Sequence, residues 1–156
     1  MQRLTFRKPA RRQRGVAMVE TIVVTPLLLF LILLTAEITN AFVEHNTLSK
    51  ATRSAARYLA ANAALGTTGI VVLSGDLTTE ARNLVVFGNV AGSGTPILNG
   101  LTTGSVDIVD LGGRNIQVTA SFPYSGLLGG TLPAFGLGGD LSTVLNLQAT
   151  VAMRAL

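Results

Sequence analysis

The sequence predicts an α+β protein: a long N-terminal transmembrane helix that continues as an amphipathic helix, followed by a small head with a short helix and an antiparallel three-stranded sheet. Three observations predict it. Residues 16–36 are almost all apolar, helical spacing persists to residue 65, and two stretches in the last third alternate apolar with polar side chains. The expected divisions are a basic leader at 1–15, a membrane span at 16–36, a helical extension at 37–65 and a head at 66–156.

Charge is distributed unevenly. Arg3, Arg7, Lys8, Arg11, Arg12 and Arg14 supply half of the 12 basic residues, and no acidic residue accompanies them. From Val16 onward six basic side chains face eight acidic ones, so the rest of the chain carries a net −2 against an overall +4. Phosphate recognition needs a clustered basic face and aromatic platforms in the folded part, so no nucleic acid is expected as a partner. A basic leader before an apolar run is instead a topology signal. The absence of cysteine excludes a disulfide framework, a thiol nucleophile and a thiolate metal site.

Between Val16 and Ala36 the only charge is Glu20. As a helix rising about 1.5 Å per residue, this run is about 30 Å long, the thickness of a bilayer's hydrocarbon core. Pro26 would break a helix in water, but membrane helices tolerate it where neighbours or a Thr hydroxyl satisfy the freed carbonyl. With six cations on one flank and none immediately on the other, the positive-inside rule puts the N-terminus in the cytoplasm and the head across the membrane. The lipid bilayer is therefore an expected partner. A cleaved secretory signal begins in the same way, but this run is longer than an ordinary signal core. Its Leu34-Thr35-Ala36 end also has a bulky residue where signal peptidase wants a small one.

Glu20 stands out because an ionised carboxylate in the apolar zone costs about 2.5 to 3.5 kcal/mol on insertion scales. The next Lys or Arg toward the C-terminus is Lys50. Two readings stay open: Glu20 snorkels to the interface beside Arg14, or it meets a positive partner elsewhere. Gly15 separates the leader from the apolar run. A cut after it would place a new α-amino group on Val16 and make Glu20 the fifth residue.

The stretch RRQRGVAMVET, Arg11 to Thr21, resembles type IV prepilins and pseudopilins. Pro26 and its leucine-rich run, Glu37, the segment NTLSKATRSAARYLA from Asn46 to Ala60 and the closing LNLQATVAMRAL from Leu145 to Leu156 narrow the likeness. Together they resemble a TadE-like protein of the tight-adherence (Flp) pilus system; the middle of the chain is similar mainly in layout. The resemblance implies a pilin-like fold, cleavage between Gly15 and Val16 by a prepilin peptidase, and Glu20 setting subunit register by pairing with a neighbour's amine. It implies other pilin or pseudopilin subunits and the pilus assembly machinery as partners. It also implies residence in a bacterial inner membrane with a periplasmic head, or incorporation in a surface pilus. Thr21 departs from the pattern, which usually has an aromatic residue after the glutamate. The alternative is an unprocessed single-pass anchor that scaffolds a secretion or pilus apparatus through its head.

Beyond the span, Phe42, Leu48, Ala55 and Leu59 are read as one helical face, with Glu44, Lys50, Arg53 and Arg57 on the polar face. Ala51, Ala55, Ala56, Ala60, Ala61 and Ala63 keep the helix slim, which suits either another helix or a tightly packed head. Leu65-Gly66 is the expected stop. Asp76 with Glu80 in the first turn, then Ala81, Leu84, Val85 and Phe87 before Gly88, predicts the short helix. A Gly-, Ser- and Asn-rich link runs from Gly88 to Gly104. Ser105–Leu111, Gly112-Gly113 and Arg114–Phe122 predict a hairpin, and Leu145, Leu147, Ala149, Val151 and Met153 predict a third strand. Pro123 to Asp140, rich in Gly and Leu, is either a long loop or an apolar contact surface for a partner subunit.

No catalytic constellation, metal site or cofactor is expected. His45 is the only histidine and is read as solvated or interfacial. Asp107 and Asp110 sit an odd number of residues apart on an expected strand, so they point to opposite faces. The Gly-Leu-Gly-Gly stretches lack the strand-before, helix-after setting of a dinucleotide loop.

Overall fold

The computed structural model describes residues 13–64, 70–136 and 138–156, with side chains from Gly15 onward. Most of the leader and the expected Leu65-Gly66 stop lie outside the described residues. The elements are helix α1 (Gln13–Asn62), helix α2 (Gly75–Phe87), a single 3₁₀ turn at Thr103–Ser105, and strands β1 (Val106–Gly112), β2 (Asn115–Tyr124), β3 (Thr131–Leu132), β4 (Leu141–Ser142) and β5 (Leu145–Arg154). The fold is the α+β arrangement the sequence predicts, a long apolar helix leading into a head with a three-stranded antiparallel sheet.

Helix α1 is 50 residues long, about 75 Å at the α-helical rise. The apolar and amphipathic segments are therefore one rod, and Pro26 lies inside it. The hydroxyls of Thr21, Thr25, Thr35 and Thr39 donate to the carbonyls of Ala17, Thr21, Leu31 and Thr35 at 2.7 to 2.8 Å, so these polar groups are satisfied within the helix. Pro26 frees the Ile22 carbonyl four residues back. Thr25 bonds the Thr21 carbonyl rather than that one.

The buried face of α1 runs through Leu48, Thr52, Ala55, Ala56, Leu59 and Ala63. Phe42 does not share it and is 66% exposed. The physical reason is angular: six residues before Leu48 at about 100° per residue puts Phe42 about 120° around the rod. The alanines resolve the choice left open above. Ala55, Ala56, Ala60 and Ala63 are buried, and α1 packs against α2, β2 and β5 of its own chain, so the slim face serves the head.

Helix α2 starts at Ser74, whose hydroxyl accepts the Leu77 amide at 3.3 Å, and stops at Gly88, which takes the left-handed conformation (φ 73°) and donates to Leu84. Asp76 lies in its first turn as expected. Glu80 lies one turn later and accepts the Tyr58 hydroxyl at 2.6 Å, tying α2 to α1. The glycine-rich link after α2 is more than a connection. Leu98 and Leu101 are buried in the core beside Val85 and Val86, and the Ile97 amide donates to Val86.

The sheet order is β1-β2-β5. Ile116, Val118, Ala120, Phe122 and Tyr124 point into the core, while Leu147, Ala149, Val151 and Met153 continue the alternation on β5. The hairpin turn is shifted by one residue from its expected place. Gly112 pairs with Asn115, leaving Gly113 and Arg114 as the turn, both at positive φ (60° and 69°). A bulge between Asp110 and Gly112 causes the shift: the Asp110 carboxylate accepts the Gly112 amide at 2.8 Å and draws Gly112 into the ladder. Asp107 and Asp110 face opposite sides, as their spacing requires. The Pro123–Asp140 stretch carries β3, which pairs with β4 as a two-stranded ribbon folded back onto α1.

Candidate functional site

Gly15, Val16 and Glu20 occupy the first turns of α1, and all three are exposed. Val16 and Glu20 are four residues apart and therefore lie on one side of the helix. No Lys or Arg follows along the rod until Lys50. A carboxylate at position 20 thus has no cation within reach toward the head, and the residues one turn to either side of it, Val16, Ala17, Val23 and Val24, are apolar and exposed. The helix begins before Gly15, so the Gly15–Val16 peptide bond lies inside a helical turn.

A second polar cluster marks the place where the apolar part of α1 meets the head. Glu37 is buried, with 5% of its surface exposed. Its two carboxylate oxygens accept the Leu127 amide at 3.1 and 3.2 Å, and its own backbone carbonyl accepts the Tyr124 hydroxyl at 3.3 Å. Asn40 bridges on, donating to the Tyr124 oxygen at 3.1 Å and to Glu44 at 3.3 Å. Gly126 lies so close to the carboxylate, at φ 73°, that a Cβ there would collide with it. Burial pushes the Tyr124 phenol above its usual range; the Asn40 bond opposes this, and the nearby carboxylates of Glu37 and Glu44 add to it.

Beside this cluster a groove of about 490 Å³ opens between α1 and the β4–β5 edge, lined by Ile38, Phe42, His45, Leu145 and Leu147 among others. His45 is only half-buried, and its Nε2 lies 3.2 Å from the Gln148 carbonyl, an arrangement that pins β5 to the rod. Sequence reasoning marked Glu37 as a boundary residue but missed its pairing with Leu127. The available signal was an acid three and four residues past Leu34 and Leu33, on a face that must meet the head. Among the described residues, no group of three or more His, Cys, Asp or Glu side chains is placed to hold a metal ion.

The helix is long and apolar enough to cross a bilayer by length and composition, so the chain is an α+β protein with one candidate membrane span among the described residues. Residues 15–57, the greater part of that helix, match the family model of TadE-like proteins. The match takes in Gly15, Glu20, Pro26, Glu37 and most of the Asn46–Ala60 segment, and not the closing Leu145–Leu156 stretch, so the similarity is to that family over this part of the chain. No curated protein and no solved structure matches the chain.

Proposed function

We propose that this protein is a TadE-like pseudopilin or minor pilin that takes part in assembling or priming a tight-adherence pilus. The observation that carries this reading is Glu20, a lone carboxylate on an exposed apolar helix, five residues after Gly15. A prepilin peptidase cutting after Gly15 supplies what that carboxylate lacks, a positive α-amino group on Val16. Between neighbouring subunits, amine and carboxylate cancel two groups that are each unfavourable in lipid, and they do so only in one register. The basic leader stays on the cytoplasmic side of a bacterial inner membrane and the head projects into the periplasm. Pilin or pseudopilin subunits and the assembly machinery are then the partners. The family match over residues 15–57 supports this reading.

One observation favours the second reading, an unprocessed anchor that scaffolds the apparatus through its head: the Gly15–Val16 bond is helical, and a peptidase needs it unwound. One experiment separates the two. Intact mass of the membrane-extracted protein should lack the first 15 residues, and Glu20→Gln should keep that cleavage while abolishing pili. A full-length mass, with Glu20→Gln leaving pili intact, overturns the pilin reading in favour of the anchor. Comparing sheared surface fractions with membranes then tells whether the chain enters the fibre.

A further inference from the structure

The apolar part of α1 is not uniformly bare. Pro26, Phe30, Leu33 and Leu34 are half-buried, while Leu27, Leu28, Leu29, Leu31 and Ile32 around them are exposed. The β3–β4 ribbon lies along this side. Ala134, Gly139 and Leu141 share a small cavity with Leu27 and Phe30, and Leu127 shares a cleft with Leu28, Leu31 and Thr35. Leu27 precedes the end of the apolar run at Ala36 by nine residues, about 14 Å along the helix. With residues 16–36 filling a hydrocarbon core about 30 Å thick, a ribbon that reaches Leu27 lies below the headgroups rather than above them.

The ribbon's chemistry agrees with that depth. Leu127, Leu128, Phe135, Leu141 and Val144 are exposed, and the only charged residue from Pro123 to Leu147 is Asp140, whose carboxylate accepts the Ala134 amide at 3.1 Å. Several of the backbone groups that lipid would leave unsatisfied have partners here. Thr131–Leu132 pairs with Leu141–Ser142, the Thr143 amide donates to Gly130 at 2.9 Å, and the Leu127 amide donates to Glu37. The outward apolar face is continuous with the bare face of α1, which has the bilayer as its surroundings.

We propose that the β3–β4 ribbon is a lipid-embedded element, inserted in the leaflet on the head's side with its leucine-rich face against acyl chains. The protein then holds the bilayer by a helix and a ribbon together. This rests on α1 crossing the membrane and is independent of any role in a pilus.

The chain has no cysteine, so single labels are straightforward. The full chain is reconstituted in phosphatidylethanolamine–phosphatidylglycerol vesicles containing nitroxide-labelled acyl chains. An environment-sensitive fluorophore is placed at Leu127→Cys or Val144→Cys, with Ile22→Cys as the membrane control and Lys50→Cys as the water control. Both ribbon positions are 60% exposed, so the labels do not disturb the core. The expected result is blue-shifted emission and loss of fluorescence to the nitroxide at Leu127→Cys, Val144→Cys and Ile22→Cys, with neither at Lys50→Cys. Quenching at Ile22→Cys without quenching on the ribbon overturns this inference alone. No quenching at any position overturns the membrane anchor with it. Ribbon labels that stay unquenched and transfer energy to a second labelled chain assign the face to another copy, which also overturns it.

Discussion

The carboxylate of Glu37 lies 3.1 Å from the amide of Leu127, ninety residues further along the chain, and this bond fastens the ribbon to the rod. Removing the acceptor strands a half-buried N–H, which costs about 1 to 3 kcal/mol. Glu37→Ala should therefore speed amide exchange at Leu127 and lower the unfolding midpoint in detergent. Glu37→Gln, which keeps a side-chain oxygen, should lose clearly less. Gly126→Ala meets both a collision with Glu37 and a positive φ, and should release the ribbon as Glu37→Ala does.

The Tyr58–Glu80 bond makes a prediction in alkali. The phenol donates to the carboxylate and its pKa is raised, chiefly by that hydrogen bond and then by burial and the Glu80 charge. A proton held more tightly in the folded state stabilises it fully below the unfolded phenol pKa of about 10, and the benefit disappears as pH rises through the folded value. The α1–α2 contact should therefore weaken above pH ~10. Thermal midpoints measured from neutral to alkaline pH should fall less steeply in Tyr58→Phe than in the parent.

The slim face of α1 sets how closely the sheet approaches. Leu59 and Ala55 are fully buried. Leu59→Ala should cost about 2 to 5 kcal/mol through lost burial and a cavity. Ala55→Leu should cost about 1 to 3 kcal/mol through overpacking. Denaturant unfolding of the detergent-solubilised chain measures both, and a neutral Ala55→Leu would mean that the helix and sheet are further apart than described.

Gly15 is the weakest residue of its helical turn. Replacing it by Ala favours the helix by about 1 kcal/mol, which raises the cost of presenting the Gly15–Val16 bond in extended form. Under the processing proposal, Gly15→Ala should slow removal of the first 15 residues several-fold in a mass-spectrometric time course.

Local pattern was readable from the sequence, and long-range pairing was not. The alternation from Ile116 to Phe122 and the Gly88 stop follow from side-chain periodicity and from a backbone conformation that suits glycine. The hairpin turn was displaced by one residue because the Asp110 side chain, not the glycine pair, decides where the ladder ends. Leu98 and Leu101 were hidden by the Gly, Ser and Asn around them, since composition reports a segment's average and the core selects single residues. Glu37 and Leu127 meet only through the folded head, so neither one's neighbourhood in sequence announces the other. Gly15, Val16 and Glu20 were recognisable as residue types at a spacing, but the group proposed to pair with Glu20 belongs to another subunit.

The uninterrupted length of α1 has a mechanical consequence. From the turn after Pro26 to Asn62 no loop intervenes, so the rod transmits torque: tilting its apolar portion swings the sheet, and a pull on the sheet reaches that portion without being absorbed on the way. Such a lever makes the orientation of the exposed face a direct readout of how its foot is seated.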